Sequence, residues 1–104
     1  MVPQFMITKE GDLKVFSTDS GDHWETIVND VLNELHTASV RFPPMATAMD
    51  GVGILREEFE ELWDEVKTKQ GLRSEDRLRK EAIQVAAMAL RFIHDICEQG
   101  RAQK

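Results

Sequence analysis

The segment Leu55-Arg56-Glu57-Glu58-Phe59-Glu60-Glu61-Leu62-Trp63-Asp64-Glu65-Val66 constrains this chain more than any other. Six carboxylates fall within nine residues, and apolar residues recur between them at the three- and four-residue spacing of one helix. Glu58, Glu61 and Glu65 form one stripe of that helix, and Glu57, Glu61 and Asp64 a neighbouring one. Phe59, Leu62, Trp63 and Val66 are expected to face the core. Carboxylates this close repel, and each then favours its protonated form. Mg²⁺ relieves the repulsion, because it is a hard cation that prefers oxygen ligands and keeps waters for a substrate phosphate.

A second segment, Lys80-Glu81-Ala82-Ile83-Gln84-Val85-Ala86-Ala87-Met88-Ala89-Leu90, carries Glu81 into an almost wholly apolar helix. Glu81, Gln84, Met88, Arg91 and Asp95 share one stripe of it. Ile83, Val85, Ala86, Leu90, Ile93 and Ile96 fill the rest. Two facing helices with acids at three-residue spacing could hold one or two divalent ions. The competing reading is a solvated acidic face, with Lys67 and Lys69 pairing with some of the acids. Glu57, Glu60 and Asp64 suit either role. For Glu81 the plain alternative is an acid in the opening turns of its helix, paired with Lys80 or Arg77.

The rest of the chain reads as helical. Asp22 with Glu25 resembles a helix start, and Trp24, Ile27, Val28, Val31, Leu32 and Leu35 recur at helical spacing. This first helix is expected to reach about Val40 and to stop before Phe42-Pro43-Pro44. The second is expected from near Gly51 to Lys69, with Gly71 ending it. Ser74, Glu75 and Asp76 open the third, which is expected to reach about Glu98 before Gly100 closes it. Three helices joined by short loops predict an all-α fold, an antiparallel helical bundle over residues 22–100. Residues 1–21 stand apart: Gln4–Thr8 and Leu13–Ser17 flank Lys9-Glu10-Gly11-Asp12, the pattern of a β-hairpin or a short N-terminal arm.

At 104 residues the chain is one small domain. An apolar third helix in so small a chain predicts completion by oligomerisation, as a homodimer or homotetramer. The formal net charge of −6 argues against a nucleic-acid partner, which needs a basic stripe. It leaves room for a single nucleotide, since a metal reverses the local sign of charge. The single cysteine, Cys97, forms no internal disulfide and reads as a small core residue. No apolar run approaches membrane length, so no membrane partner is expected, and the N-terminus lacks a signal pattern. A cytoplasmic address follows as the expectation.

At the acid segments the chain resembles the MazG-type members of the all-α nucleoside triphosphate pyrophosphatase superfamily. Glu57-Glu58-Phe59-Glu60-Glu61 matches the E-E-x-x-E of that family, and Glu81-Ala82-Ile83-Gln84 aligns with its E-x-x-D, with Gln84 where the family has aspartate. Arg41-Phe42-Pro43-Pro44 and Val85-Ala86-Ala87-Met88-Ala89 add to the likeness, which covers roughly residues 22–98. The resemblance implies a Mg²⁺- or Mn²⁺-dependent hydrolase that converts a nucleoside triphosphate to the monophosphate and pyrophosphate. Glu58, Glu61 and Glu81 would then be metal ligands, with Glu57 beside them in the catalytic set. Gln84 would be a neutral ligand, or Asp64, Glu65 or Asp95 would substitute for the missing acid, or activity would be reduced.

Lys80 and Arg91 are candidate phosphate contacts, weighed against solvent exposure for Lys80 and a salt bridge to a helix-two acid for Arg91. Asp95 and His36 complete the candidate substrate-binding set, His36 through the base pocket. Trp24 and Trp63 read as core or interface anchors. Gly51-Val52-Gly53 lacks the lysine and the preceding strand of a phosphate loop. The alternative to an enzyme is a non-catalytic helical interaction module with the same fold. A third reading is a small regulatory partner of a nucleic-acid enzyme.

Overall fold

Thr47 starts the helix that carries the acid run. Its backbone is extended, and its hydroxyl accepts the Asp50 amide at 3.1 Å, meeting one of the unpaired donors of the first turn. The computed structural model describes residues 4–7, 13–16 and 23–103. Among these, β1 (Gln4–Ile7) and β2 (Leu13–Phe16) pair antiparallel, with Gln4 opposite Phe16 and Ile7 opposite Leu13. The turn expected at 9–12 and the helix start expected at Asp22 lie outside the described residues. Three helices follow: α1 (Trp24–Arg41), α2 (Ala48–Lys67) and α3 (Glu75–Phe92). The chain divides into two compact units, Met1–Asp30 and Val31–Lys104, so the division falls inside α1.

The expected helix ends shift by a few residues, each for a local reason. α2 begins three residues before Gly51, because Thr47 caps it. It closes at Lys67, and Gly71 falls in a single 3₁₀ turn, Gln70–Leu72, rather than at a left-handed cap. Among the described residues, Gly100 is the glycine that takes a positive φ, 70°. Ser74 opens α3 as expected, its hydroxyl accepting the Arg77 amide at 3.2 Å. After Phe92 the helix widens into a π-helical segment, Ile93–Cys97. Within it the Glu98 amide reaches back five residues to Ile93 O at 2.9 Å. The wider turn buries both Asp95 and Ile96 and leaves Cys97 exposed, contrary to the core role expected for that cysteine.

α2 and α3 run antiparallel and make the main helix–helix contact. At one end Gly51 lies against Phe92: a Cβ at position 51 would come within 2.5 Å of the ring. At the other, Glu65 accepts the Arg77 guanidinium and the Ser74 amide, each at 3.2 Å. The core is Ala38, Met45, Ala87, Met88 and Ile96, with Val31, Leu35, Ile54, Leu55 and Phe92 packed around it. On α3 and the π-helical segment that continues it, the inward stripe is the one that contains Met88, Arg91 and Asp95.

One sequence expectation is overturned here. Phe59 and Trp63 do not enter the core; they are 55% and 49% exposed, and Val66 is exposed beside them. The seam of α2 runs instead through Gly51, Ile54, Leu55, Glu58, Leu62 and Glu65, all buried or half-buried. Sequence periodicity gives two opposed faces for such a helix but does not say which one meets α3. The acid-bearing face does, and Gly51 on that face leaves room for the Phe92 ring where any other residue would place a Cβ. No helix among the described residues is long and apolar enough to cross a membrane.

Candidate metal centre

Glu58 and Glu61, one turn apart on α2, meet Glu81 from α3. One carboxylate oxygen from each lies within 4.8 Å of the others. Oxygens on opposite sides of one Mg²⁺ are about 4.2 Å apart, so small side-chain rotations bring all three into reach of a single ion. Glu58 Oε2 and Glu81 Oε2 are buried and have no hydrogen-bond partner. An orphaned buried carboxylate oxygen costs several kcal/mol unless a proton or a cation satisfies it. The donor set is all oxygen, which suits Mg²⁺, Mn²⁺ or Ca²⁺ rather than a soft metal.

Glu58 and Glu81 answer this crowding by favouring their protonated forms. Burial is the largest influence on Glu58, and the charge and hydrogen bond of Glu61 follow, then the charges of Glu81 and Glu34. Together they push Glu58 up from 4.5 to about 7. Glu81 is also raised, first by burial and then by Glu61, with Lys80 pulling the other way.

Glu34 of α1 was not singled out by the sequence, yet its charge is among those that raise Glu58. It shares the stripe of Val31, Leu35 and Ala38, which is the side of α1 that joins the core. That apolar spacing is the signal that would have found it.

The other sequence candidates divide into near and far. Glu57 is exposed and lines, with Glu58, a cavity of about 460 Å³. Gln84 follows Glu81 by three residues on α3 and is half-buried, while Lys80 is exposed. His36 is exposed on α1.

Arg91 and Asp95 are buried and serve the chain itself. Arg91 donates Nη2 to Pro43 O at 2.7 Å and lies 3.7 Å from Asp95 Oδ2. Its salt bridge is therefore to its own helix and not to an acid of α2. Asp95 accepts the Met45 amide at 2.9 Å and pairs with His94 Nδ1 at 2.8 Å. Burial alone would raise the Asp95 carboxyl, but His94, the Met45 amide and Arg91 together hold it below its ordinary value.

The three acids weighed as substitutes for an aspartate at 84 are engaged elsewhere. Asp64 lies 3.3 Å from Lys67, Glu65 holds Arg77, and Asp95 holds Met45. Glu60 pairs with Arg56 at 3.2 Å on the open face of α2.

Arg91, Asp95 and Arg101 together fix the loop between α1 and α2. Arg101 donates to Met45 O at 3.0 Å, so both backbone groups of Met45 are held by side chains from the end of the chain. This clamp was invisible in the sequence, because it joins residues some fifty positions apart.

Compared with protein-family models, with curated proteins and with solved structures, the chain matches none.

Proposed function

We propose that this protein is a divalent-metal-dependent hydrolase of nucleoside triphosphates, releasing the monophosphate and pyrophosphate, with Glu58, Glu61 and Glu81 holding the ion. One observation carries the reading: three carboxyls from two helices converge within 4.8 Å, and two of their buried oxygens lack any partner. A solvated acidic face would not bury oxygens without partners. The adjoining cavity of about 460 Å³ shares Glu58 with the cluster, which gives the organic part of a substrate room next to its phosphates. Mg²⁺ bound there would supply neutralisation of charge on the phosphate oxygens and a bound water of lowered pKa.

The chain's own part is to gather the oxygens, to exclude water from Glu58 Oε2 and Glu81 Oε2, and to release a proton when an ion enters. Glu57, exposed at the mouth of the cavity, is within reach of solvent as a proton acceptor. Gln84 on the Glu81 face adds an amide oxygen and no charge.

The exposed row of Phe59, Trp63 and Val66 on α2 supports the further reading that a second copy covers this face and completes an antiparallel bundle. The same row would serve a non-catalytic interaction module equally well, so catalysis has to be measured directly. A panel of ribo- and deoxyribonucleoside triphosphates with Mg²⁺ or Mn²⁺, read by pyrophosphate release, tests the proposal. Turnover that disappears in both Glu58→Ala and Glu81→Ala is the expected result. Turnover retained in both variants removes the site, and no turnover on any triphosphate removes the activity.

A further inference from the structure

The cavity beside the acid cluster has a built wall. Phe42, Pro43 and Pro44 form one side, Ile54 of α2 and Met88 of α3 the other. Two prolines restrict the loop backbone. The Arg91 bond to Pro43 O, the Asp95 bond to the Met45 amide and the Arg101 bond to Met45 O hold it at three points. The wall is therefore formed before any ligand arrives, and its apolar faces suit a flat ring.

The ionisable side chains on this lining are Asp50, Glu57, Glu58 and Arg91. Arg91 is buried and already engaged: its guanidinium donates to Pro43 O and Met88 Sδ and lies 3.7 Å from Asp95 Oδ2. The three that remain are carboxylic acids. Asp50 and Glu57 are exposed, seven residues apart on one face of α2, so they edge the cavity two turns from each other. Carboxylate oxygens accept hydrogen bonds and repel carbonyl oxygens. A ring edge that offers an amino group gains there, and one that offers a carbonyl at the same position loses.

We propose that this cavity receives the base of the nucleotide, and that Asp50 and Glu57 select rings bearing an exocyclic amino group over their oxo counterparts: cytosine over uracil, and adenine over hypoxanthine. The choice of nucleotide rests on the reading of Glu58, Glu61 and Glu81 as the phosphate-side metal centre. The preference for the amino ring rests on the cavity alone.

The test has two arms on the full chain. In the first, cytidine and uridine, adenosine and inosine, are titrated into metal-free protein, and the backbone amide NMR signals of residues 42–57 are followed. Cytidine and adenosine should bind about tenfold more tightly than their partners, the discrimination that a carboxylate gives when it accepts from an amino group on a base. Asp50→Asn and Glu57→Gln together should bring the two members of each pair within about threefold.

In the second arm, the α,β-methylene analogues of CTP and UTP are titrated calorimetrically with Mg²⁺ present, beside Mg²⁺ alone. Mg²⁺ should bind the single Asp50→Asn variant as it binds the wild type. Equal binding within each pair, tighter binding of the oxo member, or no nucleoside shifts in residues 42–57 overturns the proposal, whatever the metal does. Silence with Mg²⁺, together with a retained cytidine preference, removes the metal centre and leaves the ring site standing.

Discussion

Replacing Glu58 by glutamine should make the metal-free protein more stable, and the size of the gain should depend on pH in a defined way. In the folded chain the Glu58 carboxyl is raised from 4.5 to about 7. Below pH 4.5 it is protonated in both folded and unfolded chains and makes no difference to folding. Between 4.5 and 7 the unfolded chain loses the proton first, so stability falls as pH rises. Above 7 the folded protein carries the charge against its surroundings, and the loss is complete. The full linkage is about 3 kcal/mol, and screening on the solvent side of this half-buried group brings it to about 1–2 kcal/mol.

Glutamine keeps the shape, removes the charge and can donate to the Glu61 or Glu81 oxygens. Glu58→Gln should therefore melt about 4–10 °C higher than wild type at pH 8.5 in EDTA, with the gap closing toward pH 4.5. Thermal unfolding followed by circular dichroism across that range measures it. A variant no more stable than wild type at pH 8.5, or a gap that does not shrink on acidification, would refute the reasoning. Mg²⁺ should then reverse the order, because only the intact cluster gains the ligand-linked term.

Further consequences follow from the same geometry. Gly51→Ala should destabilise the chain by about 1–2 kcal/mol by denaturant unfolding, because the new Cβ meets the Phe92 ring and that clash exceeds the gain in helix propensity. Asp95→Ala should lose about 3–5 kcal/mol, since it strands the buried Arg91 charge and frees the Met45 amide. Because the Asp95 carboxyl is held below its ordinary value, its contribution is present above that value and disappears as pH falls through the lowered one. In a pH series of melts, the Asp95→Ala difference should narrow on the acid side. Phe59→Ser with Trp63→Ser should reduce any self-association seen by analytical ultracentrifugation while leaving the α2–α3 seam intact; an unchanged mass would exclude that face as the contact between copies.

Much of this protein could be read from residue order alone. Helical periodicity located three helices, and Ser74 marked the start of α3 because capping is a local event between neighbouring residues. The acids at 58, 61 and 81 were also legible as candidates, since residues three apart share a face whatever the helix packs against.

Packing decided what periodicity left open. It turned the Glu58–Glu65 face inward and left Phe59 and Trp63 in the open, with Gly51 leaving room for the Phe92 ring. It brought the Glu34 charge to bear on Glu58, and it assigned Arg91 and Asp95 to the loop at Pro43 and Met45 rather than to open solvent. The convergence of three carboxyls from two helices is a distance across the fold. A linear pattern encodes which residues share a face, but only the contact between helices sets how near their side chains come.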